Sequence, residues 1–246
     1  MEEQREIFQR TERLLGSECM ERLKRTRVIV FGVGGVGSWC VEGLVRSGVG
    51  HITIVDCDKV SVSNINRQLM ATISTVGLSK VEVLRERMID INPNLDICAL
   101  EALYSEETSD TFHLGAYDYI IDAIDSLKDK ANLILKATET DAVFFSSMGA
   151  ALKIDSSRIR VAEFWKVNGC PLGASLRRKF KRTKTFPKKK FQCVYSDELL
   201  ENQSVPLQDE SNEFYQKAQV NGTLAHVTAI FGFTLAGLVL QNVYRS

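Results

Sequence analysis

Two short stretches hold residues whose types and spacing can do chemistry. The run Gly32-Val33-Gly34-Gly35-Val36-Gly37 follows the apolar segment Arg27-Val28-Ile29-Val30-Phe31 and precedes a helical pattern. Glycine at such a junction lets the backbone approach a phosphate, and the amides of the helix start stabilise its charge. Asp56 ends the next apolar run, His51-Ile52-Thr53-Ile54-Val55, where a carboxylate accepts hydrogen bonds from ribose hydroxyls. Loop and carboxylate together point to an adenine nucleotide; the plainer alternative is a tight strand-to-helix turn and nothing more.

These features fit a nicotinamide-dependent dehydrogenase equally well. Hydride transfer needs neither magnesium nor cations around a triphosphate, whereas adenylyl transfer needs both to neutralise charge developing on the phosphates. The chain offers such groups further on. Arg67 stands in Ser63-Asn64-Ile65-Asn66-Arg67-Gln68, Lys80 ends Gly77-Leu78-Ser79-Lys80, and Asp125 lies in Asp122-Ala123-Ile124-Asp125-Ser126. Arg67 presents a planar fork that matches phosphate oxygens, Lys80 a point charge at a helix start, and Asp125 a hard oxygen ligand at a strand terminus. Taken singly, Arg67 and Lys80 also read as surface charges and Asp125 as a helix N-cap.

The elements that must position these groups alternate. After helices within 2–25 come strands at 27–31 and 51–55 flanking a helix at 38–47, then a polar loop through Asn66 and a helix at 76–91 that stops before Pro93. Strands follow at 95–100, 117–122 and 143–147, with a helix at 128–140 between the last two. This alternation predicts an α/β fold: a Rossmann-like parallel sheet with helices on both faces. From Ala150 the pattern changes to an alternating strand at 158–163, a basic stretch with a helix start at Cys170-Pro171, and a strand at 191–196. The chain therefore reads as one domain with an N-terminal helical arm (1–25), a nucleotide-binding core (26–150), an appended, partly antiparallel basic segment for substrate (151–222) and a final helix (223–246). A polar, mobile loop is expected over 200–219.

Composition narrows the class. The 246 residues are 44% hydrophobic, enough for a substantial core. The 31 basic and 31 acidic residues cancel, so net charge alone selects no polyanionic partner. Six separated cysteines without a CxxC pair argue against a disulfide framework or structural zinc and for the reducing cytoplasm. Residues 218–244 lack charged side chains, but His226, Gln241, Asn242 and several glycines favour a buried core or dimer helix over a membrane span.

Gly32-x-Gly34-Gly35-x-Gly37-Ser38, Asp56-x-Asp58, Asn66-Arg67-Gln68, Gly77-x-x-Lys80 and Asp122-x-x-Asp125-Ser126 occur in an order that resembles the adenylating superfamily of ubiquitin-activating enzymes and bacterial activators of sulfur-carrier proteins. The resemblance implies ribose binding by Asp56, phosphate contacts by Arg67 and Lys80, nucleotide positioning by Asn66 with lesser parts for Asp58 and Gln68, and magnesium on Asp125. Arg13, in Arg10-Thr11-Glu12-Arg13-Leu14-Leu15-Gly16, matches an arginine that reaches across a homodimer to the partner's nucleotide, with a plain exposed arginine as the alternative.

The missing CxxC pairs disfavour the sulfur-carrier branch. Along nearly its whole length, through Gly35-Val36-Gly37-Ser38-Trp39, Cys193-Val194-Tyr195-Ser196-Asp197-Glu198 and Thr228-Ala229-Ile230-Phe231-Gly232-Phe233, the chain resembles the tRNA threonylcarbamoyladenosine dehydratases. That resemblance implies ATP and magnesium as cofactors, tRNA as substrate, and ATP-dependent cyclisation of a threonyl carboxylate on a modified adenosine. Arg177, Arg178, Lys179, Lys181, Arg182, Lys184, Lys188, Lys189 and Lys190, interleaved with Phe180, Phe186 and Phe191, suit tRNA phosphates and bases, or alternatively anionic lipid. Some members of the family carry a cysteine just before the last helix; Lys217-Ala218-Gln219-Val220-Asn221-Gly222 has none, and Cys193 reads as core. An activator of a small sulfur-carrier or ubiquitin-like protein is the alternative function, and a sulfur-transfer partner and membrane contact stay open.

Overall fold

Five residues, Arg27–Phe31, form β1, the third strand across a seven-stranded sheet, described by a computed structural model over residues 6–203 and 221–246. β1 pairs in parallel with β2 (His51–Val55) on one side and with β4 (Tyr119–Asp122) on the other. β3 (Asp96–Leu100) extends the sheet beyond β2, and β5 (Val143–Ser147) extends it beyond β4, all parallel. Helices cover both faces, which is why β1 and β4 read as unbroken apolar runs. Val28 and Val30 point into one core layer and Ile29 and Phe31 into the other.

The first layer packs α2 (Ser17–Arg25), α3 (Gly37–Arg46), α4 (Lys80–Ile91) and α7 (Ala225–Arg245) on the sheet. The second packs α5 (Leu127–Ala137) and α6 (Pro171–Thr183). α1 (Gln9–Leu15) precedes α2 and buries none of its residues. The helix expected from residue 76 begins only at Lys80, because Gly77 turns at φ +88° and Ser79 bridges back to Lys59.

The appended part extends the same sheet. β7 (Gln192–Ser196) inserts parallel to β5, and β6 (Ile159–Glu163) pairs antiparallel with β7 as the edge, giving the order β3-β2-β1-β4-β5-β7-β6. The basic stretch contributes α6, with Pro171 at its first turn, where no amide is needed. Of the loop expected at 200–219, residues 204–219 lie outside the described residues, as do residues 1–5 of the N-terminal arm and Lys217 to Val220 before the last helix.

α7 is long and apolar enough to cross a membrane by composition. In the fold its Val227, Phe231, Leu235, Val239 and Val243 are buried against α3 and the sheet. The contact is close at Gly232, where a Cβ would stand 2.4 Å from Val36 O and 2.8 Å from Cys40 N.

Candidate active site

After β1 the chain runs through β2 and β3 to one side, then returns to place β4 on the other side of β1. Such a reversal opens a crevice at the carboxyl ends of the strands, the customary ligand position in open α/β sheets. The glycine loop leaves β1 on one side of it, and Ala123–Ser126 leaves β4 on the other. They touch: with φ at +81°, Gly32 faces Ala123, and a Cβ there would lie 2.9 Å from Ala123 O. A Cβ at Gly37 would collide with Gly32 O at 1.8 Å. Gly34 and Gly35 line the turn between them. The amides of Gly34, Gly35 and Val36 find no acceptor among the described residues, and they precede the N-terminus of α3, an arrangement suited to an anion.

Asp56 stands just beyond β2. Its Oδ2 accepts from Val33 N at 2.9 Å and its Oδ1 from Asp58 N at 2.9 Å. Burial pushes its carboxyl above the ordinary range, opposed by the charge of Lys80 and by those two amides. Lys80, buried at the start of α4, places Nζ 2.7 Å from Asp58 Oδ2 and 4.0 Å from Asp56 Oδ1. The lysine expected to meet phosphate thus rests on carboxylates. Cys57 lies between the two aspartates, and burial together with their charges raises its thiol to about 11. Asp56, Cys57 and Asp58 bring three potential metal ligands together. Lys80 already balances this cluster, and a protonated thiol is a poor magnesium ligand.

The Asn66-Arg67-Gln68 segment follows the short turn Val62–Asn64, where the buried Asn64 accepts from Ser61 N at 3.1 Å. Arg67 donates to Ser63 O at 2.7 Å and to Asn66 Oδ1 at 2.9 Å, and its Cγ lies 3.4 Å from a Cβ built on Gly35. Asn66 Nδ2 donates to Thr223 O, just before α7. Gln68 is buried with Nε2 beside Gly34 and Oε1 unbonded among the described residues. An unmet buried acceptor next to a phosphate-type loop favours a polar ligand or water at that point.

Asp125 is exposed at the mouth of the crevice, on the loop before α5. One carboxylate beside a phosphate-binding loop is a sufficient protein share of a magnesium site, since this ion takes its other ligands from phosphate oxygens and water. Below it, Asp122 and Lys130 form a fully buried ion pair at 2.8 Å. Burial raises the Asp122 carboxyl, and Lys130 is the first influence opposing that rise.

The structure therefore gathers Gly32, Gly34, Gly35, Gly37, Asp56, Asp58, Asn66, Arg67, Gln68, Lys80 and Asp125 on one edge of the sheet. Arg13 is not among them. It is exposed on α1, and Phe8, just before that helix, lies against Gly48 at the opposite edge. Sequence reasoning missed Trp39, whose Nε1 donates to Arg67 O at 3.1 Å, and Lys130. A tryptophan one turn into α3 was the available sign for the first.

The residues of the basic stretch divide between the fold and the surface. Lys189 Nζ donates to Thr140 O and Ala142 O, and Lys188 N to Thr138 Oγ1, all just ahead of β5. Lys188 and Lys189 thus lie at the amino end of β5, about 16 Å from the nucleotide edge for a five-residue strand. Arg177, bonded to Phe164 O and lying over its ring, and Lys189 serve the fold, and Phe180 and Phe191 are core. Arg178, Lys181, Arg182, Lys184, Lys188 and Lys190 are exposed. Phe186, 49% exposed, pairs with Trp165, 40% exposed, at 6.1 Å between rings. Cys193 is buried within β7, and burial raises its thiol.

Comparison with known proteins agrees with this geometry. The ThiF family profile matches residues 8–245. The chain is similar to the tRNA threonylcarbamoyladenosine dehydratase of Bacillus subtilis, 36% identical and covering 97% of this chain and 94% of that one. It is similar also to the Escherichia coli tRNA threonylcarbamoyladenosine dehydratase, 33% identical with the same two coverages. The crystal structure of that Escherichia coli enzyme in complex with ATP superposes with a TM-score of 0.84, covering 97% of this chain and 94% of that one. On the strength of these matches, the chain belongs to the ThiF family and, within it, to the tRNA threonylcarbamoyladenosine dehydratases.

Proposed function

We propose that this protein uses ATP to adenylate the threonyl carboxylate of threonylcarbamoyladenosine beside the tRNA anticodon and closes it to the cyclic form. The observation that carries the reading is the β1–β4 crevice, where three amides without an acceptor among the described residues lie beside the Arg67 side chain, in a chain similar almost end to end to dehydratases of that name. A carboxylate is a poor electrophile. Its oxygen attacks the α-phosphorus of ATP as the bond to pyrophosphate breaks. A nucleophile on the same base modification then attacks the acyl carbon and AMP leaves with that oxygen, so the base loses one water and ATP takes it up.

In this account the loop amides and Arg67 hold phosphate oxygens, Lys80 turns from Asp58 toward them, and Asp56 holds the ribose. Asn66 and Gln68 steady the nucleotide. Asp125 would hold magnesium, which when bound offsets charge on the leaving pyrophosphate. The direct test incubates the protein with ATP, magnesium and tRNA bearing threonylcarbamoyladenosine. A product lighter by one water is expected, and unchanged mass overturns the proposal.

The exposed cations of 178–190 and the Trp165–Phe186 pair are read as a second tRNA contact, away from the reacting base. A homodimer is read from α1, where Leu14 is 79% exposed, and from the outer face of α7, where Ile230, Phe233 and Leu238 with Val161 line a cavity of about 550 Å³. Mixing an Arg13→Ala protein with an Asp56→Ala protein tests whether the arginine acts across the dimer; restored turnover is expected, and none overturns that part. Six unpaired cysteines support placing the protein in the cytoplasm.

A further inference from the structure

A fully buried ion pair is seldom a source of stability. Moving both charges out of water costs several kcal/mol, and well-packed apolar residues often do as well. Asp122 and Lys130 carry such a pair beside the crevice, both at 0% exposure. Their surroundings show what the charges hold. Asp122 Oδ2 meets Lys130 Nζ at 2.8 Å and accepts from Ser146 Oγ at 2.7 Å, while its Oδ1 accepts from Ile124 N at 3.1 Å. Lys130 Nζ also donates to Ile124 O at 2.9 Å.

Ile124, the residue before Asp125, therefore has both backbone groups tied to the buried pair. On the other side of Asp125, Ser126 O accepts from Lys130 N at 2.9 Å, and Ser126 Oγ donates to Asp129 Oδ2 at 2.7 Å. Ala123 N donates to Phe31 O at 2.9 Å, and Ala123 O faces Gly32. Asp125 is thus the exposed residue of a loop fastened at each neighbour.

We infer that Lys130, through Asp122 and the carbonyl of Ile124, is a positioning residue that sets the Asp125 carboxylate at the distance from the glycine loop needed to share a magnesium ion with the nucleotide phosphates. The inference rests on the reading of Asp125 as the metal ligand. Lys130 touches neither nucleotide nor metal. It acts by denying the loop other conformations, as outer groups do around many metal sites.

The experiment compares wild type with the paired neutral replacement Asp122→Asn with Lys130→Met, which leaves no buried charge unpaired. Binding of ATP is titrated with magnesium, binding of AMP is measured without metal, and thermal unfolding reports the fold. A rise of about tenfold in the magnesium concentration for half-maximal ATP binding is expected, with AMP affinity unchanged. An unchanged magnesium requirement, or equal losses for ATP and AMP, overturns the inference. Should the pair replacement fail to fold, Ser146→Ala removes one bond to Asp122; a smaller rise in the same direction supports the inference and no rise overturns it. Asp125→Ala is titrated in parallel. If it leaves the magnesium requirement unchanged, the metal reading itself fails; if it raises the requirement while the Asp122 and Ser146 variants do not, only the positioning role fails.

Discussion

The amide of Val33 donates to Asp56 Oδ2 across 2.9 Å, so the carboxylate after β2 holds the glycine loop after β1 in place. The same carboxylate accepts from Asp58 N and lies within reach of Lys80. One side chain thereby joins three parts of the crevice.

Asp56→Ala is expected to weaken ATP binding by about tenfold to a hundredfold, the loss of one or two charge-assisted hydrogen bonds. Isothermal titration measures it. Asp56→Asn, which keeps one acceptor oxygen, should lose less; equal affinity for all three proteins would remove Asp56 from the nucleotide site.

Arg67→Lys keeps the charge and loses the planar guanidinium, whose Nη1 bonds both Ser63 O and Asn66 Oδ1. Turnover of modified tRNA should fall by about a hundredfold or more, as when one preorganised donor is lost, with little change in melting temperature. A proportional loss of stability would assign Arg67 to the fold.

Gly232→Val inserts methyls where even a Cβ meets Val36 O at 2.4 Å. Overpacking should cost about 1–3 kcal/mol, read as a lower midpoint in denaturant. ATP affinity should fall with it, because Val36 belongs to the glycine loop. A destabilised protein with normal ATP affinity would show that α7 does not control the loop.

Cys57 is exposed, yet its thiol is raised to about 11 by partial desolvation and by the charges of Asp58 and Asp56. A raised thiol keeps its proton through the neutral range, so the thiolate forms only as pH climbs toward that value. Alkylation by iodoacetamide, followed by peptide mass mapping, should be slow at pH 8 and accelerate steeply above about pH 10. Rapid modification at neutral pH would contradict the carboxylate environment.

Trp165→Ala with Phe186→Ala should raise the KM for tRNA about tenfold or more, since one stacked base contributes about 1–3 kcal/mol. Arg178→Ala with Arg182→Ala should instead flatten the salt dependence of tRNA binding. Neither pair should alter ATP affinity. Normal KM and salt dependence in both would move the tRNA elsewhere on the surface.

The core strands were legible because burial on both faces leaves an uninterrupted apolar signature, as in Val28-Ile29-Val30-Phe31 and Tyr119-Ile120-Ile121. The chemistry at strand ends was legible for a related reason: glycine and charge recur where the chain must turn beside a ligand. What escaped was long-range. The positions of β7 between β5 and β6, and of Lys188 and Lys189 at the amino end of β5, depend on pairing partners distant in sequence. Lys130 escaped because a lysine in a helix pattern reads as solvent-facing, and only the fold reveals Asp122 and Ile124 O around its ammonium. Arg177 and Lys189 escaped similarly, counted as free cations although backbone carbonyls occupy them.

α7 is made by the ribosome after every other described element, yet it packs on α3, the first helix after the glycine loop, and its neighbour Thr223 receives the bond from Asn66. A chain still in synthesis therefore has the glycines, Asp56 and Arg67 exposed for some time without the helix that backs them. Domains generally fold as units during translation, and here the unit closes only when its latest element docks on one of its earliest. Nucleotide binding is accordingly expected to appear only after α7 has docked.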